Sequence, residues 1–216
     1  MFNFGPINVE DVAMLMAAFV VAVTVHEFMH AWMANYLGDD TARLLGRITL
    51  NPAKHFDPLG FIMFLFVAIG GFGFAWGKPV PVNTYRLRPL GRFGQRGSMA
   101  LVAFAGPLSN VVLAFVAAWS LRLGGTAALP GWWVHFLSVF ISVNVGLAAF
   151  NMIPVPPLDG SKIMAALVPE YWTPLLAQFQ RVSFAIVLAL IFLAPAVLGA
   201  MVYPVSDLIL RILPLG

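Results

Sequence analysis

Cysteine is absent from the 216 residues. That excludes disulfides, thiol nucleophiles and every cysteine-ligated zinc site, so any metal must be held by His, Asp or Glu. Charge is nearly as scarce: Asp, Glu, Lys and Arg make up 10% of the chain, where a soluble domain carries roughly a quarter. The few basic residues fall in short clusters between apolar runs, where they face lipid headgroups and cytoplasm rather than nucleic acid, which is excluded as a partner. A basic opening stretch is missing too. Residues 1–11 end in Glu10 and Asp11 just before the first apolar run, which therefore reads as a retained helix and not as a signal peptide. No internal repeat is visible.

What is present is apolar. Hydrophobic residues make up 61% of the chain and the formal charge is +3, the balance of a protein whose solvent is the bilayer. Residues 12–37 read as a first helix stopped by Gly38-Asp39-Asp40. Residues 41–57 are polar and contain the strand-like run Gly46-Arg47-Ile48-Thr49-Leu50. Residues 58–75 are apolar and glycine-rich, and they lead into Trp76-Gly77-Lys78-Pro79-Val80-Pro81-Val82, where alternating prolines exclude helix. Residues 98–121, 132–153 and 183–203 each supply about the twenty residues a spanning helix needs. Residues 207–213 read as an interfacial turn or a second short helix. The expectation is an all-α polytopic membrane protein. It is one integral-membrane domain over residues 1–216, with about four spanning helices plus a re-entrant segment carrying short β-like strands.

The first helix is interrupted by His26-Glu27-Phe28-Met29-His30. Two imidazoles four residues apart share one helical face and can grip a single zinc ion, while Glu27 can reach a water at the metal without coordinating it, as a general base must. An ionisable group inside a bilayer costs roughly 3 kcal/mol or more, and a bound cation compensates for three of them at once. The bland alternative is that His26 and His30 hydrogen-bond to neighbouring helices around a neutral Glu27. An open zinc site needs a third protein ligand. Asp159 is the leading candidate, because it follows Asn151-Met152-Ile153-Pro154-Val155-Pro156-Pro157-Leu158, where prolines unwind the chain near membrane depth and irregular backbone implies a lined cavity. Asp159-Gly160 also reads as an ordinary turn pair.

HExxH on one apolar helix and Asn-x-x-Pro-x-x-Pro-x-Asp-Gly at the end of another resemble the site-2 protease family of intramembrane metalloproteases, in its compact bacterial form without PDZ or CBS domains. The resemblance extends to Gly106-Pro107-Leu108-Ser109-Asn110 and to the linking segments 46–52 and 77–82. It implies one zinc ion per chain held by His26, His30 and Asp159, with Glu27 as base. Asn151 becomes a polar group near the substrate carbonyl, and the substrates are transmembrane proteins cut within or beside their spans.

The two motifs must meet in one half of the membrane although each lies near the C-terminal end of its helix, so their helices run parallel and residues 58–75 do not cross completely. Segments 41–57, 78–96 and 162–181 then share one face with most of the basic residues, and the positive-inside rule makes it the cytoplasmic face, with the active site nearer to it; the resemblance implies that the membrane is a bacterial cell membrane. In 78–82, Pro79 and Pro81 blunt one edge while Val80 and Val82 keep donors on the other, which suggests one-sided pairing with extended substrate. A rigid proline loop fits these residues equally well. His55 reads as a solvated or locally bonded imidazole, His135 as an interfacial anchor, and Asn144 as a bundle-interior amide. The rival functions are a zinc-binding membrane transporter and a catalytically silent scaffold.

Overall fold

The computed structural model describes residues 8–68, 75–126, 128–172, 178–180 and 182–215. Its helices are α1 (Val9–Tyr36), α2 (Thr41–Leu44), α3 (Pro58–Ala68), α4 (Gly94–Gly124), α5 (Gly131–Asn151), α6 (Asp159–Leu167), α7 (Ser183–Phe192) and α8 (Pro195–Ile212). Of these α1, α4, α5 and α8 are long and apolar enough to cross a membrane.

The N-terminus of α1 is set by Asn8, whose side chain accepts the Glu10 N–H at 3.0 Å, and Glu10 and Asp11 place negative charge at the positive end of the helix dipole. Along α1 the buried stripe is Leu15, Ala18, Ala22, His26, His30 and Ala34, the i, i+4 spacing of one helical face. Its alanines, with Ala103, Ala114, Ala117 and Ala118 of α4 and Ala148 and Ala149 of α5, let backbones approach closely where lipid removes the hydrophobic drive for association. Helix α4 is the hub, packed on α1, α5 and α6. It runs antiparallel to α1, since Val102 lies at His30 and Asn110 at His26. Helices α1 and α5 run parallel: Asp11 meets His135 at 2.7 Å near their starts, and Asp159, just past the end of α5, meets His26.

One sequence expectation is corrected and another, the β-like strands, is not confirmed. The apolar run 183–203 is not one helix. It breaks at Leu193-Ala194, because Pro195 lacks an N–H and pushes the preceding residue out of the helical region; Ala194 has φ −137° and ψ 52°. The fourth long helix is therefore α8, which absorbs residues 207–212 of the segment 207–213 expected to be a separate turn or short helix. Nor is there any β-strand among the described residues. In 46–50 and 76–82 several backbone groups are engaged elsewhere: the Gly46 and Arg47 N–H groups bond the Arg43 and Ala42 carbonyls, Lys78 N–H bonds the His55 carbonyl, Val80 N–H bonds Glu27, and the Lys78 and Pro79 carbonyls accept from Arg47, while Pro79 and Pro81 have no N–H.

Residues 69–74 of the apolar stretch 58–75 lie outside the described residues. The described part of the stretch before them is helix α3, Pro58–Ala68. The ends of the stretch lie together: Lys78 N–H donates to the His55 carbonyl at 2.8 Å, and Trp76 sits against Gly60, where an added Cβ would overlap the Trp76 carbonyl.

Candidate metal and catalytic site

One turn of α1 carries His26 and His30 on the buried stripe, and the first residue of α6 brings Asp159 to them. His26 Nε2 and His30 Nε2 are 3.0 Å apart, and Asp159 Oδ2 lies 3.2 Å from the first and 3.1 Å from the second. All three residues are buried. Ligands on tetrahedral arms of about 2.1 Å stand about 3.4 Å apart, so the triangle is close to the size a zinc ion requires.

The orientation of the imidazoles follows from hydrogen bonds that end on backbone carbonyls. Asn144 Nδ2 donates to the Phe140 carbonyl at 2.8 Å, which leaves its Oδ1 to accept Asn110 Nδ2 at 2.9 Å. Asn110 Nδ2 also donates to the Ala22 carbonyl at 3.1 Å, so Asn110 Oδ1, 2.7 Å from His26 Nδ1, is an acceptor and His26 carries its proton on Nδ1. His30 Nδ1 likewise donates to the Val102 carbonyl at 2.7 Å. With Nδ1 so engaged on both rings, it is Nε2 that each turns inward, next to a carboxylate oxygen, and in the neutral form that nitrogen offers a bare lone pair. Three acceptors facing one another at this distance repel unless a cation lies among them, and an outer hydrogen bond on each ligating histidine is the usual support of such a site. Lys162 Nζ donates to Asp159 Oδ1 at 3.0 Å, which leaves Oδ2 for the triangle.

Close approach of α4 depends on Gly106. A Cβ there would overlap His30 Nε2 and lie 2.7 Å from His26 Nε2. Pro107 in the next position withdraws the donor that would bond the Ala103 carbonyl, at the turn where the Val102 carbonyl reaches sideways to His30. Helix α6 is anchored from α4 as well: Arg96 Nη2 donates to the Ala165 carbonyl and, at 2.8 Å, to that of Val168.

The triad borders a cavity of about 320 Å³, also lined by Glu27, Asn151, Val80, Val82 and Lys162, with Phe150 and Phe184 among its apolar walls. Glu27 Oε2 accepts the Val80 N–H at 3.1 Å, so that donor is engaged by the protein and not left on an open edge. Asn151 Nδ2 donates to the Leu147 carbonyl of its own helix at 3.0 Å. His55 is buried and bonded to the Thr49 carbonyl at 2.8 Å, the locally bonded alternative and not the solvated one. His135 is half-exposed beside Asp11. Asn144 is fully buried, and through Asn110 it helps to orient His26. That function, and those of Asn110 and Lys162, are not separable from packing in the sequence. The available signals are an amide pair in apolar helices and a lysine one turn after Asp159.

A bundle of apolar helices that closes two histidines and an aspartate around a zinc-sized triangle, with a glutamate at the adjoining cavity, is a membrane-embedded zinc metalloprotease by architecture. The chain belongs to peptidase family M50, the site-2 protease family, whose model matches residues 14–126 and 121–194. It is 39% identical over 189 residues to "Putative zinc metalloprotease YwhC" of Bacillus subtilis, covering 84% of this chain and 80% of that protein. It is 34% identical over 209 residues to "Putative zinc metalloprotease Rip2" of Mycobacterium tuberculosis, covering 90% and 73%. No solved structure matches it.

Proposed function

We propose that this metalloprotease hydrolyses peptide bonds within or beside the spans of transmembrane proteins, using one zinc ion per chain, on the cytoplasmic side of a bacterial cell membrane. The observation that carries the reading is the placement of the His26–His30–Asp159 triangle and Glu27 on one cavity between helices long enough to span. Zinc held by the triad would supply Lewis acidity toward a carbonyl oxygen and acidify water. Glu27 takes the proton of the attacking water and delivers it to the leaving amine. The Asn151 amide, on the cavity wall, faces the scissile carbonyl, although its Nδ2 must leave Leu147 or share its donors to bond it.

Residues 58–75 form a re-entrant segment in this reading. The contact between the ends of the stretch supports it, and so do the basic residues 43–96, which then lie on one face. Substrate enters extended, since a helical peptide bond is shielded, and lies along Val80 and Val82. Pairing with the Val80 N–H would compete with Glu27 for that donor.

The test compares membrane proteomes of cells carrying the native chain and Glu27→Gln, with zinc content measured in both. New termini inside apolar segments that vanish with Glu27→Gln at unchanged zinc content are the expected result. Identical termini in both, under several growth stresses, would sink the reading.

A further inference from the structure

The buried cation nearest the proposed base belongs to a segment that reads in sequence only as a polar linker. Arg47 is 6% exposed. Its Nη1 donates to the Pro79 carbonyl at 3.1 Å and its Nη2 to the Lys78 carbonyl at 2.5 Å. Behind it His55 is 2% exposed and donates from Nε2 to the Thr49 carbonyl, so its Nδ1 lone pair faces Arg47 Nη2, 3.5 Å away. The His55 carbonyl takes the Lys78 N–H at 2.8 Å. Residues 78 and 79 are thus gripped from the loop between α2 and α3, and the next residue, Val80, gives its N–H to Glu27.

We infer that Arg47 is a positioning residue: its guanidinium fork fixes residues 76–82 as a strap over the metal site, and the Val80 amide of that strap orients the Glu27 carboxylate. The inference rests on the proteolytic reading of Glu27 given above. A fork with donors in one plane matches two successive carbonyls, which the point charge of a lysine cannot do. Its bonds to the strap end on backbone carbonyls, while Val80 and Val82 of the strap line the cavity.

The arrangement is costly as mere packing. Arg47 Nε is buried with no hydrogen-bond partner among the described residues, and burial draws the guanidinium below its ordinary pKa while the Glu27 carboxylate works the other way. Apolar side chains could fill such a space at no loss of stability. What they could not do is hold two carbonyls, and through them Val80, in one place.

Because the chain has no cysteine, a single Val80→Cys reports strap mobility through its labelling rate with a water-soluble maleimide. The experiment measures this rate in otherwise native protein and with Arg47→Gln or Arg47→Lys. In parallel, without the cysteine, zinc content, kcat and KM are measured on a dye-labelled single-span peptide with a central Asn-Gly pair, in detergent micelles. Expected with Arg47→Gln are native zinc content, several-fold faster labelling, kcat lower by about ten- to a hundredfold and KM changed far less. Arg47→Lys keeps the charge but loses the fork, and falls between. Unchanged labelling or unchanged kcat overturns the inference, and so does loss of zinc along with activity, which would mark a residue needed only for folding. If Arg47→Gln does not fold, Arg47→Lys decides by the same criteria. A native, zinc-loaded chain that cleaves no peptide counts against the proteolytic reading instead, and the labelling rates still decide whether Arg47 holds the strap.

Discussion

Asn110 Oδ1 and His26 Nδ1 stand 2.7 Å apart, and the carboxamide cannot be reversed without losing its bonds to the Ala22 carbonyl and to Asn144. An amide on α4, itself steered by one on α5, thereby selects the tautomer of a proposed zinc ligand on α1. Asn110→Ala removes that selection. Zinc affinity, measured by competition with a chromogenic chelator, should fall about 10- to 100-fold. Asn144→Leu should give a smaller loss, because Asn110 keeps its bond to Ala22. Native affinity in Asn110→Ala would show that the ring is held by packing alone.

Gly106 is the point where α4 would collide with both imidazoles. Gly106→Ala should lower stability by about 1–3 kcal/mol, the usual cost of forcing a methyl into a packed interior, and should reduce zinc retention through a size-exclusion column. A zinc-replete variant with native thermal stability would contradict the close approach described here.

The triad ties α1 to α6, so metal binding is linked to folding. At free zinc about a thousandfold above its dissociation constant, binding to the folded state alone contributes about 4 kcal/mol. Stripping the metal should therefore lower the Tm of the native chain in detergent, and should leave that of Asp159→Ala unchanged. Equal Tm values for loaded and stripped native protein would remove the triad from any structural metal role.

Lys162 holds one carboxylate oxygen of Asp159 and leaves the other turned toward His26 and His30. Lys162→Met should weaken zinc binding by about tenfold, the low end of what loss of an outer partner costs, whereas Asp159→Ala should abolish it. Chelator titrations of the two variants side by side check the ranking, and equal losses would make Lys162 more than a partner of Asp159.

Asp39 and Asp40 are neighbours in sequence with opposite surroundings. Asp39 is fully buried; its Oδ1 accepts from the Thr41 N–H at 3.1 Å and the Thr41 hydroxyl at 2.5 Å, and its Oδ2 from the Asn83 N–H at 2.6 Å. Asp39→Ala strands those donors and should cost about 2–4 kcal/mol. Asp40 pairs with exposed arginines 43 and 86, and Asp40→Ala should cost about 1 kcal/mol or less. Chemical denaturation in mixed micelles separates the two.

Much of this protein is written locally and can be read without a structure. The apolar lengths that become α1, α4 and α5, the shared face of His26 and His30, and the proline-broken chain before Asp159 all depend on hydrophobicity and helical period over a few turns. Proline in an apolar run is the exception, since a membrane helix can keep it or break at it: Pro204 stays inside α8, while Pro195 begins that helix. Whether freed backbone groups find partners decides between these outcomes, and that is a tertiary matter. So is the meeting of Asp159 with the two imidazoles, which the Asp-Gly turn reading left open until α6 was docked against α4. The extended run 76–82 formed no strand because its backbone partners are Arg47, His55 and Glu27, residues whose burial and direction no local pattern contains. The residues capable of the chemistry are determined by the sequence. Which proton each imidazole carries, which carbonyls Arg47 holds and where Glu27 points depend on packing between distant helices, and only the tertiary structure decides them.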